Sequence, residues 1–164
     1  MKIPTTSDPV NPTVPRTVDD LLDLEAIKVL KVKYWWAVDV KDWETYRSLF
    51  TDDGVVEIDD VTYSSVADVV ALFEESIQGH EVIHKVHLPQ IELTEPGEAK
   101  GIWCMSSVVR GEKMNHREQG VYHESYRKVD DEWLISHLSL HHVLLQPEGD
   151  TRLIGNESHW WESS

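Results

Sequence analysis

Between Asp19 and Asp39, apolar side chains recur at Leu24, Ile27, Leu30, Tyr34, Ala37 and Val38, the spacing of a helix that buries one face. Thr17 or Asp19 can cap its start. Trp43–Phe50 reads as a second, short helix closed by the turn Thr51-Asp52-Asp53-Gly54. Val55–Asp60 is a short β-rich run. Ser65–Ile77 opens on a serine cap and sets Val66, Val69, Val70, Phe73 and Ile77 on one side, a third helix ended by Gly79. The period then changes from helical to alternating. Val82–Leu93, Ala99–Val109, Gln119–Val129 and Glu132–Leu145 read as long strands, separated by Glu95-Pro96-Gly97, the polar stretch Arg110–Arg117 and Asp130-Asp131. Helices first and an antiparallel meander afterwards indicate an α+β domain.

The ends carry a different pattern. Residues 1–17 hold Pro4, Pro9, Pro12 and Pro15 among Ser, Thr and Asn, which predicts a flexible N-terminal arm. The folded domain is expected over 18–147. Residues 148–164 form a polar C-terminal tail, read either as disordered or as folding Trp160 and Trp161 over a pocket mouth or a partner surface.

Composition narrows the function classes. At 164 residues and 40% hydrophobic, the chain suits one domain with a core. Fifteen basic against thirty acidic residues give a formal charge of −15, which repels phosphate backbones and anionic lipid. Nucleic acid and membrane are therefore not expected as partners. The N-terminus lacks an apolar leader, so the expected location is cytoplasmic. Cys104 is the sole cysteine; inside Ile102-Trp103-Cys104-Met105 it is expected to be a small buried hydrophobe. It excludes an intrachain disulfide and a cysteine-based zinc site. Neither a Gly-rich phosphate loop nor a compact His/carboxylate metal motif is present, so no cofactor and no metal are expected.

Several motifs lie in an order that resembles a known family. Asp42-Trp43, Leu49-Phe50 and Thr51-Asp52-Asp53-Gly54 follow the first helix; His84 precedes Pro89-Gln90-Ile91-Glu92. Gly120-Val121-Tyr122-His123-Glu124-Ser125-Tyr126 precedes Asp131-Glu132-Trp133-Leu134-Ile135. Across residues 20–145 the chain resembles SnoaL-like proteins of the nuclear transport factor 2-like superfamily, in particular the dehydratase-like branch of scytalone dehydratase, bile-acid 7α-dehydratase and lindane dehydrochlorinase. The resemblance implies a single-domain cone, a curved antiparallel sheet wrapped around three helices, with a ligand cavity inside.

It also implies a working pair. A helix-1 aspartate orients a sheet histidine that takes a proton, and these positions fall on Asp39 and His84, with Tyr34 at a tyrosine position. A carboxylate bonded to one ring nitrogen sets the tautomer and raises the basicity of the other, which suits general acid/base chemistry near neutral pH. Tyr34 and Asp39 are about 140° apart on an ideal helix, so both serve one pocket only if it wraps the helix end. Trp36, Trp103, Ser107, Tyr122 and His137 are candidate substrate contacts. His137, or else His141, is assigned to the face of Trp133 and Ile135. The family position for a further acid falls at Ser106-Ser107, which leaves the leaving-group acid unassigned. The implied activity is that of a cofactor-free lyase or isomerase acting on a hydrophobic, cyclic or aromatic small molecule. A non-catalytic binding or dimerisation module and an epoxide or ester hydrolase are the alternatives. A homodimer through the outer sheet face is expected.

Overall fold

The computed structural model of the chain describes residues 10–112 and 115–147. Helix α1 (Val18–Val40) begins where Thr17 and Asp20 form a reciprocal capping box. The Thr17 hydroxyl accepts the Asp20 backbone N–H at 3.0 Å, and the Asp20 carboxylate accepts that of Thr17 at 3.2 Å. Two of the orphan donors at the helix start are thereby satisfied. The helix stops at Lys41, whose backbone turns left-handed (φ 62). Helix α2 (Trp43–Ser48) is capped by Asp42, and α3 (Val66–Ser76) by Ser65. Strands β1 (Phe50–Ile58) and β2 (Val61–Tyr63) precede α3. After it come β3 (Glu81–Val86), β4 (Gln90–Glu95), β5 (Glu98–Arg110), β6 (Asn115–Val129) and β7 (Glu132–Pro147).

The seven strands make one open sheet in the order β2-β1-β7-β6-β5-β3, with β4 also paired to β5. The expected meander is present in β5, β6 and β7, but the sheet is mixed, because β1 joins β7 in parallel. The fold class is α+β: helices against one face of a curved sheet. The segment Val82–Leu93 is two strands rather than one. Pro89 offers no N–H to a ladder, and β3 and β4 divide the length of β5 between them on either side of it.

Alternation along β5 and β6 turns Trp103, Met105, Tyr122 and Tyr126 inward, where they pack with Ile27, Tyr34 and Trp35 of α1. The same alternation turns Cys104 outward. It is exposed, not the buried hydrophobe its neighbours suggested. Within the proline-rich start, Thr13 donates to the Ile91 carbonyl at 2.8 Å and its hydroxyl accepts the Leu93 N–H at 2.9 Å, tying that stretch to β4. Residues 1–9 and the tail with Trp160 and Trp161 lie outside the described residues. No described helix is long and apolar enough to cross a membrane.

Candidate active site

A cavity of about 230 Å³ lies between α1, α3 and the inner face of the sheet. Apolar side chains such as Val38, Phe73, Met105 and Leu140 make most of its wall.

Asp39 stands in the last turn of α1, at the negative end of the helix dipole, an unfavourable place for a carboxylate. Its partner explains the position. Asp39 Oδ2 accepts the backbone N–H of His84 at 3.1 Å, and Oδ1 lies 2.6 Å from His84 Nδ1. Two contacts to one carboxylate hold both the strand and the ring. With Nδ1–H given to Asp39, Nε2 carries the lone pair, and no described residue hydrogen-bonds to it. His84 lines the cavity, its side chain only 9% exposed.

Tyr34 and Tyr122 also line the cavity and are buried. Burial pushes the Tyr34 phenol well up, with Tyr122 and Tyr46 adding to it, so the hydroxyl remains a donor at neutral pH. Burial also raises the Tyr122 phenol. The Lys31 ammonium lies 3.8 Å from the Tyr34 ring centre and 3.7 Å from that of Tyr122, behind the cavity wall. The 140° offset between Tyr34 and Asp39 is resolved at the helix end: Tyr34 faces the cavity, while Asp39 reaches it through the His84 ring.

Four other expected contacts lie elsewhere. Trp36 is 67% exposed on the outer side of α1; Trp35 takes the inner position, since adjacent helical residues point about 100° apart. Trp103 faces inward but is core, packed edge-on against Trp35 with its indole N–H on Tyr126 Oη at 2.7 Å. Ser107 is covered, between His84 on β3 and Glu118 on β6, and its hydroxyl donates to Glu118 Oε2 at 2.7 Å. His137 faces outward, 3.5 Å from Glu57. The cause is a β-bulge: Ile135 pairs with Tyr126 and His137 with Ser125, so Ser136 is an extra residue and the alternation flips.

That flip brings in residues the sequence reading passed over. Beyond the bulge Leu138, Leu140 and His142 face the cavity, and His116 and Glu118 of β6 join them. His116 Nε2 lies 2.6 Å from Glu118 Oε1. His116 and Glu118 have period-two spacing, a visible signal, but the sequence reading runs a loop through His116 to Arg117 and starts the strand only at Gln119.

Comparison with known proteins agrees with this architecture. The model of the SnoaL-like domain matches residues 19–139. The Gibberella zeae protein named Probable cyclase FGR4 is 25% identical over 126 residues, covering 67% of this chain and 84% of its own. The crystal structure of a type 2 hexachlorocyclohexane dehydrochlorinase, LinA, superposes with a TM-score of 0.74 at 19% identity, over 86% of this chain and 98% of that one. A Novosphingobium aromaticivorans structure provisionally named a scytalone dehydratase gives 0.69 at 18% identity, over 87% and 100%.

Proposed function

This chain belongs to the SnoaL-like domain family, and on that footing we propose that it is a lyase or isomerase working by proton transfer on a hydrophobic, cyclic or aromatic small molecule. The observation that carries the reading is the His84–Asp39 pair at the cavity wall, with contacts of 2.6 and 3.1 Å. His84 Nε2 takes a proton from a carbon beside a carbonyl. Asp39 holds the ring in the tautomer that leaves Nε2 free and stabilises the imidazolium that forms. Tyr34 donates to the carbonyl oxygen as negative charge develops there. Imidazole, carboxylate and phenol supply all three roles, so the reading needs neither metal nor cofactor. Dehydratase, dehydrochlorinase and cyclase names among the similar proteins support the class of reaction and leave the substrate open.

The folded unit of this reading is 18–147, and its assembly is a homodimer through the outer sheet face, where Cys104 is exposed. The working location is the cytoplasm.

The test is to incubate the protein with bicyclic aromatic β-hydroxy ketones and follow loss of water or double-bond migration by mass and absorbance. His84→Ala is expected to lower turnover at least about 10²-fold, within the 10²–10⁴ that general-base catalysis contributes. Asp39→Asn should cost less, because the base itself remains. A ketone that binds tightly, returns unchanged and binds His84→Ala equally well would replace this reading with that of a binding module.

A further inference from the structure

Across the cavity from His84 the fold builds the same clamp again. Asp59 occupies the turn between β1 and β2 with a left-handed backbone (φ 54), its N–H on the Leu140 carbonyl at 2.8 Å. From there Asp59 Oδ1 accepts the backbone N–H of His142 at 2.9 Å, and Oδ2 lies 3.0 Å from His142 Nδ1. This repeats the two contacts of Asp39 with His84.

The pairs differ at the other ring nitrogen. His84 Nε2 has no hydrogen-bond partner among the described residues. His142 Nε2 lies 3.8 Å from Glu118 Oε2, and that carboxylate is itself held by the Ser107 hydroxyl and His116. One ring therefore presents an open lone pair to the cavity. The other has the Asp59 carboxylate at Nδ1 and a second carboxylate, that of Glu118, 3.8 Å from Nε2. His84 and His142 stand on β3 and β7, three strand spacings apart, on the order of 14 Å of backbone, with both side chains reaching inward from a curved sheet. A bicyclic molecule can lie between them.

We infer that His142 is the acid that protonates the departing oxygen, so that the site takes substrates losing a hydroxyl rather than a halide. This rests on the elimination reading of His84. In the step, His84 Nε2 takes the proton on the carbon beside the carbonyl, and the C–H pair becomes the new double bond. The C–O bond breaks with its pair staying on oxygen, which takes the Nε2 proton of His142 and leaves as water. Solvent carries the proton from His84 back to His142 between turnovers, and nothing is oxidised or reduced. Asp59 and Glu118 are positioning residues. Chloride needs no such proton, so an acid matters only when the leaving group is poor.

The experiment compares 3-hydroxy-1-tetralone with 3-chloro-1-tetralone, both corrected for spontaneous loss, by formation of 1-naphthol. His142→Gln is expected to lower kcat on the hydroxy ketone about 100-fold or more, with KM little changed, and to leave the chloro ketone nearly unaffected. Asp59→Asn should show the same selectivity with a smaller loss. His84→Ala should lose both. If His84→Ala loses both while His142→Gln loses neither, the elimination reading stands and His142 is not the acid. Equal losses on both ketones for His142→Gln would make it a structural residue and overturn the inference as well. A His84→Ala protein as fast as wild type would sink the elimination reading itself. Should neither ketone turn over, spectra of ¹⁵N-histidine protein with 1-naphthol decide: both the His84 and His142 ring signals are expected to move. A His142 ring indifferent to bound naphthol overturns the proposal.

Discussion

Lys31 illustrates what single residues contribute beyond the cavity. It is fully buried in α1, bonded to Glu124, and its ammonium lies over the rings of Tyr34, Trp35 and Tyr122. Glu124 is buried too and also accepts the Tyr126 hydroxyl. Burial pulls the Lys31 ammonium down to about 8, against the opposing pull of Glu124. Removing one partner leaves an uncompensated buried charge. Lys31→Met is therefore expected to cost about 3–5 kcal/mol by urea denaturation, and adding Glu124→Leu should recover most of it. Equal losses for the single and double variants would contradict this. The pair was not legible in the sequence, where a lysine between Leu30 and Tyr34 reads as surface. Asp39 and His84 were legible as candidates, because each sits in an ordered series of motifs. Trp36 was misread as a substrate contact because, of two adjacent tryptophans, the sequence does not say which one faces inward.

Elements are held in place by a few such contacts. Asp23, early in α1, accepts both the Trp133 indole N–H and the Lys128 ammonium on Oδ1, each at 2.9 Å, which pins the helix to the β6–β7 hairpin. Burial works against the Asp23 charge, but these bonds outweigh it and hold the carboxyl below its ordinary value of 3.8. A depressed folded value means the stabilisation is complete above pH 3.8 and is lost as pH falls through the lower folded value. Urea midpoints should therefore drop more between pH 5 and pH 3 in wild type than in Asp23→Asn. At pH 7 that variant should be about 1 kcal/mol less stable. Identical acid limbs for the two proteins would show the contact contributes nothing. Helix positions and the β5–β6 alternation were readable from periodicity and caps. The parallel β1–β7 pairing and the break at Pro89 were not, since strand order is decided by partners distant in sequence.

At the scale of the molecule, the described helices all pack on one sheet face, and the proposed dimer would cover the other. Light scattering across micromolar concentrations is expected to give twice the 18.9 kDa of one chain. A monomer throughout would end that proposal. With a formal charge of −15, association should strengthen as added salt screens repulsion between the copies.

The bulge at Ser136 sets the phase of β7 from His137 to His142, up to a second register shift at Val143. Were Ser136 instead taken into the ladder as a paired residue, strict alternation would offer His137, Ser139 and His141 to the interior in place of Leu138, Leu140 and His142. The wetness of the chamber and the identity of its acid would change together, with no side chain substituted. A single-codon insertion taken up as a bulge therefore re-aims several side chains of a strand at once, which no single point mutation does.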